Sequence, residues 1–325
     1  MSFIKKYGFT FFKWFVFILS LGYLFYRIFF QQDLKTIFSG FQTGSSSKWA
    51  LLSFVIFLMF INWGIEAIKW RFVVKNISVI SLKRALGAVF AGTSVSLFMP
   101  NRTGEFVGRI FALPAEKRIQ GIFASFVTGF AQFNITLFAG TTALCLLYYF
   151  YPENIFTQHG FGNWIIIPAW ITTLLCFVLY FRVRWFSMLF AKIAEKYSEK
   201  IRILESYLSS ELLIVTLLSL VRYIVFLFQF YMVILFFGID ISMFNALIAA
   251  SLTFYITTAI PTFSIAEIGV RGSVAVFIFG YFCPGSIEIV SASTLLWLIN
   301  VGTPALIGYF VIARFKENPS SPVQP

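Results

Sequence analysis

The sequence FMPNRTGEFVGRI, residues 98–110, sets charged side chains among proline and glycine in the middle of strongly apolar sequence. Its charged residues are Arg102, Glu105 and Arg109, and its expected helix breaks are Pro100, Gly104 and Gly108. Charged groups at membrane depth are costly and usually face a protein-lined or water-filled cavity. Proline and glycine let the backbone break at such a cavity. We therefore expect a broken membrane segment with a functional charge cluster at its tip.

The composition of the whole chain explains these apolar surroundings. Of the 325 residues, 59% are hydrophobic and 20% are aromatic, and only 12% are charged. A soluble core of this size does not need so much apolar side chain, so the solvent must be largely lipid. The net charge of +12 comes mostly from Lys and Arg in short loops, which favours contact with anionic lipid headgroups and argues against nucleic acid as a partner. The chain is predicted to be an all-α polytopic membrane protein.

The N-terminal apolar run and the cysteines indicate whether the protein has a removed signal peptide or a metal site. The apolar run 9–30 has no small-residue cleavage site, so we interpret it as a retained first span and not as a removed signal. Cys145, Cys176 and Cys283 are isolated in or beside apolar runs and lack metal-ligand spacing. We expect no metal site and no cofactor.

About six apolar runs are long enough to cross the hydrocarbon core, which needs about 20 helical residues. They are residues 9–30, 49–70, 119–151, 164–181, 212–237 and 287–315. The loop after the second run contains only basic charges, so it is predicted to be cytoplasmic, and the N-terminus with it. The loop 152–163 has no Lys or Arg and should lie outside. Continuing this count places the C-terminus in the cytoplasm and the protein in a plasma membrane, as in a bacterial inner membrane.

The segment from Ala85 to about Ala115 does not fit a simple crossing. Because its flanking loops force it to begin and end in the cytoplasm, it is predicted to be a re-entrant hairpin. The same count makes residues 242–282, which contain PTFSIAEIGVRG at 261–272, a hairpin entering from the opposite face. Span, hairpin and span then occur twice in opposite orientation, around Glu105 and around Glu267. Inverted repeats with broken helices near the midplane are typical of transporters.

One transmembrane domain is therefore expected over residues 1–325. Its predicted parts are a first span and loop (1–48), the first repeat (49–151), a span plus cytoplasmic amphipathic segment (164–211), the second repeat (212–316) and a short tail (317–325). The amphipathic stretch 185–211 has two open interpretations: a helix or helical hairpin on the membrane surface, or a connector packed on the bundle.

The second tip repeats the chemistry of the first through Pro261, Glu267, Gly269 and Arg271. Guanidinium groups bind phosphate through paired donors and remain charged when partly desolvated. The predicted substrate-binding residues for a phospholipid headgroup are Arg102, Glu105, Arg109, Glu267, Arg271 and Arg222, the last from inside the span 212–237. The carboxylates would neutralise the arginines of an empty site or contact a cationic headgroup. The alternative is that these residues only lock the two tips together through ion pairs. In the second span, Glu66 could pair with Lys69, although interfacial anchoring explains Lys69 equally well.

At these residues the sequence resembles the transmembrane region of lysylphosphatidylglycerol synthases and related flippase-like membrane proteins. The family pattern Pro-x-Arg-x-Gly-Glu-x-x-x-Arg matches at Pro100, Arg102, Gly104, Glu105 and Arg109. A later pattern matches in part at Pro261, Gly269, Val270 and Arg271, and departs from the family at Ala266, Glu267 and Gly272. The resemblance implies a domain that moves lipids between leaflets, with aminoacylated phosphatidylglycerol as the best-known cargo. Only a short tail follows Phe315, so we do not expect synthase activity.

Three functions follow from these observations. The first is a lipid flippase without an ATP site, because the sequence contains no phosphate-binding Gly-x-x-x-x-Gly-Lys-Ser/Thr loop. The second is a membrane scaffold that recruits a lipid-modifying or glycosyl-transferring enzyme through residues 185–211. The third is a headgroup-modifying enzyme with Glu105 or Glu267 as general base, although no catalytic residues are predicted with it. Membrane phospholipid is the expected partner, and a lipid-modifying enzyme and a second copy of the chain are further candidates.

Overall fold

The computed structural model describes residues 46–99, 102–151, 162–193, 195–262 and 264–317. The predicted first span, Pro100, most of the predicted outer loop and the C-terminal tail lie outside these ranges. Across the described ranges the regular elements are all helical. We number the helices α1 Ser46–Val74, α2 Leu82–Ser96, α3 Gly104–Arg109, α4 Arg118–Phe150, α5 Gly162–Phe181, α6 Arg184–Ile193, α7 Ser198–Ile201, α8 Ser209–Phe236, α9 Met243–Ala259, α10 Ser264–Phe279, α11 Ser286–Trp297 and α12 Thr303–Glu317.

Five helical stretches in the described residues are long and apolar enough to cross a membrane. They are Ser46–Val74, Ala115–Phe150, Trp164–Phe181, Ser209–Phe236 and Ser286–Ala313. Each lies within a few residues of a predicted span. Their surfaces carry many exposed large apolar side chains, such as Phe57, Leu174 and Phe310, as expected where lipid replaces water around the bundle. The predicted class, an integral multi-pass α-helical protein, is confirmed.

The helices α2 and α3 form a tight antiparallel pair. A Cβ atom on Gly104 would overlap the backbone of Ser96, and one on Gly108 would overlap the backbone of Ala91 and Gly92. Because later residues of α3 meet earlier residues of α2, the chain reverses direction between the two helices. At 1.5 Å per residue α2 is about 22 Å long, which is short of a hydrocarbon core of about 30 Å.

Two of the predicted helix breaks are wrong. Gly108 lies inside α3, where its missing side chain permits the close approach of α2. Gly269 lies inside α10, in the second turn after Ser264, and the helix continues through it. Gly104 does begin α3, and Pro261 lies in the non-helical link between α9 and α10. In α3, glycine therefore serves packing as well as chain reversal.

Two further glycines set the packing of the short helices on the long ones. Gly308 of α12 faces the backbone of Phe90 in α2, and Gly140 of α4 faces the ring of Tyr255 in α9. In both places a Cβ would overlap the neighbouring helix. The long helices α1 and α8 pack against each other beside these contacts.

The stretch after α5 packs on the bundle through one face. The rings of Phe186 and Phe190 lie 5.6 and 6.0 Å from the ring of Phe126 in α4. Tyr207 donates a hydrogen bond of 3.0 Å to the carbonyl of Val73, and burial raises the pKa of this phenol. Another set of apolar side chains on the same stretch is exposed: Trp185, Met188, Leu189 and Ile193. The packing agrees with the predicted connector on the bundle, and the exposed apolar side chains leave a position on the membrane surface as a prediction.

Candidate functional site

A cavity of about 420 Å³ lies between helices α1, α4, α8, α9 and α10. Its charged lining consists of Arg102, Arg222, Glu267 and Arg271. Its aromatic lining consists of Trp63, Phe133, Tyr223, Phe226 and Phe254, and its uncharged polar lining of Asn62, Gln132, Thr136, Thr257, Thr258, Thr262 and Asn300. The cavity therefore carries more positive than negative side chains, although it lies between apolar helices.

Glu267 holds two of the arginines. Its carboxylate accepts from Arg102 Nε at 3.1 Å and from Arg102 Nη2 at 2.9 Å, a paired geometry. It also accepts from Arg271 Nη2, one helical turn away on α10. Such forked contacts are among the strongest charge-assisted hydrogen bonds. The Arg102–Glu267 contact joins the tip of the α2–α3 pair to the start of α10.

Arg102 reaches this position through an unusual backbone. Its φ is +55°, and it has the only positive φ of a non-glycine residue among the described residues. L-residues rarely adopt this left-handed conformation, which costs roughly 1–2 kcal/mol. Strain of this kind persists only where the surroundings over-determine it, and it clusters at functional sites. The ion pair with Glu267 is the contact that holds the side chain in place.

Arg271 has donors that remain unused. Its side chain is buried, and its guanidinium carbon lies 5.6 Å from the centre of the Phe254 ring. Within the described part of the chain, its Nε and Nη1 atoms have no hydrogen-bond partner although they are inaccessible to solvent. A buried donor without a partner costs about 1–3 kcal/mol. Both donors are therefore unsatisfied in this arrangement, and an acceptor from the cavity reaches them only if the buried side chain shifts.

Arg222 connects the cavity to a second charged cluster. Its Nε donates to Asn62 Oδ1 at 2.6 Å and its Nη1 to Gln132 Oε1 at 3.3 Å. Its guanidinium stacks over the ring of Trp63 at 5.3 Å. The same Nη1 lies 3.2 Å from Glu66 Oε2, which is almost fully buried. Arg222 therefore lines the cavity and also pairs with Glu66.

Glu66 is the centre of that second cluster. Besides Arg222, it pairs with Lys69 at 2.7 Å and with Arg109 at 2.9 Å. Lys69 is fully buried and donates to Ser219 at 3.2 Å, so it pairs with Glu66 and is not an interfacial anchor. The sequence indicated the pairing with Lys69 but not the central role. An acidic residue inside an apolar span was the available signal, since such charges are costly unless they are compensated.

The predicted site residues fall into these two clusters. Arg102, Arg222, Glu267 and Arg271 line the cavity, whereas Glu105 and Arg109 are absent from its lining. Arg109 instead pairs with Glu105 at 3.0 Å and with Glu66, and its Nη1 donates to Thr128. The two tips therefore do not form one pocket of equivalent arginines. The second tip faces the cavity, and the first faces it only through Arg102.

An irregular turn completes the cavity wall. Residues Leu298–Gly302 form a π-helical turn between α11 and α12, and Asn300 and Val301 from this turn line the cavity. π-Helical turns are rare and frequently occur at functional sites. Asn300 donates to Leu296 at 3.2 Å, while its Oδ1 atom is buried without a partner in the described residues. Sequence periodicity gave no indication of this turn, because it only inserts an extra residue into an otherwise continuous apolar helix.

The titratable ligands that a metal would need are not grouped in the described residues: no three His, Cys, Asp or Glu side chains lie close enough together. The chemistry available at the cavity is that of guanidinium donors, amide groups, hydroxyl groups and aromatic faces. These groups suit the binding of an anion more directly than bond-making chemistry.

The fold and this site define a polytopic α-helical membrane protein with a charged cavity enclosed by its spans. Comparison with protein families places it more narrowly: the model of the lysylphosphatidylglycerol synthase TM region matches residues 12–308. The chain belongs to this family, which confirms the resemblance inferred from the motif around Glu105. Neither a curated protein nor a solved structure matches the sequence.

Proposed function

We propose that this protein is a flippase-like lipid transporter, which moves phospholipid between membrane leaflets by binding its anionic headgroup in the cavity. Membership of the lysylphosphatidylglycerol synthase TM family supports a lipid-related function. The finer assignment depends on one observation: three arginines and a single carboxylate line the cavity, and buried donors of Arg271 are unpaired there. A phosphate oxygen is the acceptor that such donors match best in a membrane.

The proposed binding step exchanges one anion for another. With the cavity empty, Glu267 neutralises Arg102 and Arg271. An entering phosphate would compete with Glu267 for Arg102, the more exposed of the two arginines, and a shift of Arg271 would then bring its unpaired Nε and Nη1 onto the phosphate. Because the Arg102–Glu267 pair joins the two short helix pairs, its replacement would loosen their contact and open the cavity. The energy would come from a gradient or from none.

We also propose the inverted repeat and the re-entrant orientation of α2–α3 and α9–α10. The packing supports the repeat because equivalent elements make equivalent contacts. The first helix of each short pair packs on the last long helix of the other repeat, α2 on α12 and α9 on α4. Each contact has a glycine of the long helix against an aromatic residue, Gly308 with Phe90 and Gly140 with Tyr255. In a bacterial cell this topology would place both termini in the cytoplasm.

The test is leaflet exchange of acyl-labelled phosphatidylglycerol in liposomes containing the purified protein. Arg102→Ala and Arg271→Gln should each slow exchange at least about tenfold, because one tenfold step corresponds to the loss of only about 1.4 kcal/mol. Arg202→Gln is the matched control, since Arg202 is exposed and far from the cavity lining. Glu105→Gln should also impair exchange, but through the Arg109 cluster and with a measurable loss of stability. Unchanged exchange in folded Arg102→Ala and Arg271→Gln proteins would overturn the proposal.

A scaffold function is the second candidate, and the exposed apolar side chains of α6 favour it. Trp185, Leu189 and Ile193 are each more than half exposed beside the basic Lys192 and Lys196. A partner enzyme, a second copy of the chain or the lipid interface could cover this surface. Transport by the purified protein alone would favour the first function. Stoichiometric co-purification of one enzyme, lost in a Trp185→Glu, Leu189→Glu variant, would favour the scaffold. We propose a transporter and not an enzyme.

A further inference from the structure

We propose that the cargo of this cavity is an anionic phospholipid whose headgroup is uncharged and rich in hydroxyl groups, such as a glycerol or a sugar, and is not an aminoacylated, cationic lipid. This inference rests on the proposed function and names the substrate class of the same site. It is carried by the charge balance of the lining, by the unpaired polar atoms and by the hydroxyl groups of the cavity wall.

The charge balance of the lining argues against a lipid that carries a cationic group in addition to its phosphate. Arg102, Arg222 and Arg271 face the cavity, and Glu267 is its only lining carboxylate among the described residues. That carboxylate already contacts two guanidiniums. The nearby Glu66 is shared by three cations. An ammonium group entering this cavity would therefore lose its hydration without gaining a free carboxylate, which is costly in a low-dielectric site.

Two of the five aromatic rings in the lining already hold cations of the protein itself. An ammonium group can be held over the face of an aromatic ring. However, the Trp63 ring already carries the guanidinium of Arg222 at 5.3 Å, and the Phe254 ring that of Arg271 at 5.6 Å. These two rings stabilise the protein's own cations, and so they contribute to binding an anion.

The uncharged polar lining matches hydroxyl groups. The hydroxyls of Thr136, Thr257 and Thr258 each donate to a carbonyl of their own helix, at 3.0, 2.8 and 2.7 Å. These residues line the cavity, and each hydroxyl oxygen keeps a lone pair that can accept a further hydrogen bond. Asn300 adds an acceptor, since its buried Oδ1 has no partner in the described part of the chain. Hydrogen-bond acceptors and guanidinium donors in the same cavity fit a phosphate that carries a donor-rich polyol.

The first test compares cargo in the same proteoliposomes. Phosphatidylglycerol and phosphatidylinositol should exchange at least about tenfold faster than lysylphosphatidylglycerol, since each added cation interacts with three guanidiniums at short range. Equal or faster exchange of lysylphosphatidylglycerol would overturn the inference while supporting the proposed function. Exchange of no lipid would count against the proposed function, and the binding experiment below would then decide the inference.

Binding is measured by thermal stabilisation of the purified protein with short-chain lipids. Dihexanoyl phosphatidylglycerol should raise the unfolding temperature, and its lysyl ester should do so less at the same concentration. Equal or greater stabilisation by the lysyl ester, or none by either, would overturn the inference. Glycerol 3-phosphate serves as the soluble arm: if it stabilises as well as the short-chain lipid, the site belongs to a soluble phosphate ester and the lipid assignment is wrong.

A designed change of specificity provides the sharper control. Gln132→Glu adds a carboxylate to the cavity and keeps the hydrogen bond accepted from Arg222. It should reduce the preference for phosphatidylglycerol over its lysyl ester at least about threefold. Asn245→Asp makes the same chemical change outside the cavity, where Oδ1 accepts from the Tyr151 hydroxyl, and should leave the preference unchanged. An unchanged preference in a folded Gln132→Glu protein would overturn the inference.

Discussion

Glu66 and Arg109 form an ion pair of 2.9 Å in which the side chains are only 2% and 4% exposed. The pair joins α1, a long span, to α3, the short helix after the break. Lys69 and Arg222 contact the same carboxylate, so one acid compensates three cations from three helices. Because Glu66 contacts Arg222, this almost fully buried ion-pair cluster lies next to the cavity and supports its wall.

Glu66→Gln should destabilise the protein strongly. Removing one partner of a buried ion pair costs about 3–5 kcal/mol, because the remaining charge is left without compensation. Here the cations Lys69, Arg109 and Arg222 would all lose their shared carboxylate. We expect a clear fall in the unfolding temperature in detergent.

Two variants make this expectation specific. Glu116→Gln removes an exposed acid and should change the unfolding temperature little. Lys69→Met in the Glu66→Gln background removes one stranded cation and should restore part of the lost stability. If Glu66→Gln is as stable as Glu116→Gln, the cluster does not support the fold as described.

The positive φ of Arg102 predicts that its glycine variant is more stable than its alanine variant, the reverse of the usual order in a helix. Both Arg102→Ala and Arg102→Gly lose the ion pair with Glu267, but only alanine keeps a side chain at φ +55°. Relief of this strain should make the glycine variant more stable by about 1 kcal/mol. Leu217, an exposed residue inside α8, is the control position, and there alanine should be more stable than glycine. The same order at both positions would show that the Arg102 backbone is not strained.

The sequence predicted the spans because an apolar run long enough to cross lipid has few alternatives. Of the charged residues that it marked as a candidate site, Arg102, Glu267 and Arg271 line one cavity, and their role in binding stays a prediction. It did not predict their partners: Arg102 and Glu267 are separated by 165 positions in the chain, and only the packed bundle brings them together. Nor did it separate Arg109 from the cavity, because the direction of a side chain on a six-residue helix depends on how closely Gly108 lets that helix approach α2.

The close contacts at Gly308 and Gly140 should reverse the usual effect of a Gly→Ala substitution in a helix. Gly→Ala inside a helix normally adds up to about 1 kcal/mol of stability. At Gly308 the new Cβ would overlap the Phe90 carbonyl, and at Gly140 it would overlap the Tyr255 ring. Overpacking of this kind typically costs about 1–3 kcal/mol, so both alanine variants should unfold at lower temperature. Gly64→Ala has no neighbouring heavy atom within 4 Å and should be neutral or stabilising. A gain of stability at Gly308 would show that α2 and α12 are not in close contact.

The proposed inverted repeat predicts which chain ends share a membrane face. Single cysteines are introduced at exposed positions into a chain in which Cys145, Cys176 and Cys283 are replaced by serine. They are Lys83→Cys and Glu116→Cys at the two ends of α2–α3, and Asp240→Cys and Pro284→Cys at the two ends of α9–α10. A membrane-impermeant maleimide applied to intact cells should label only the second set, and inverted vesicles should expose the first.

The reason is the length of the short helices: α2 is about 22 Å long, too short for a full crossing, and α3 runs antiparallel to it, so the proposed hairpin would end on the side where it began. Labelling of Lys83→Cys and Glu116→Cys from opposite faces would mean that residues 82–117 cross the membrane. The two repeats would then not be inverted. The proposed binding step, in which phosphate replaces Glu267 as the partner of Arg102 where the two tips meet, would lose its structural basis.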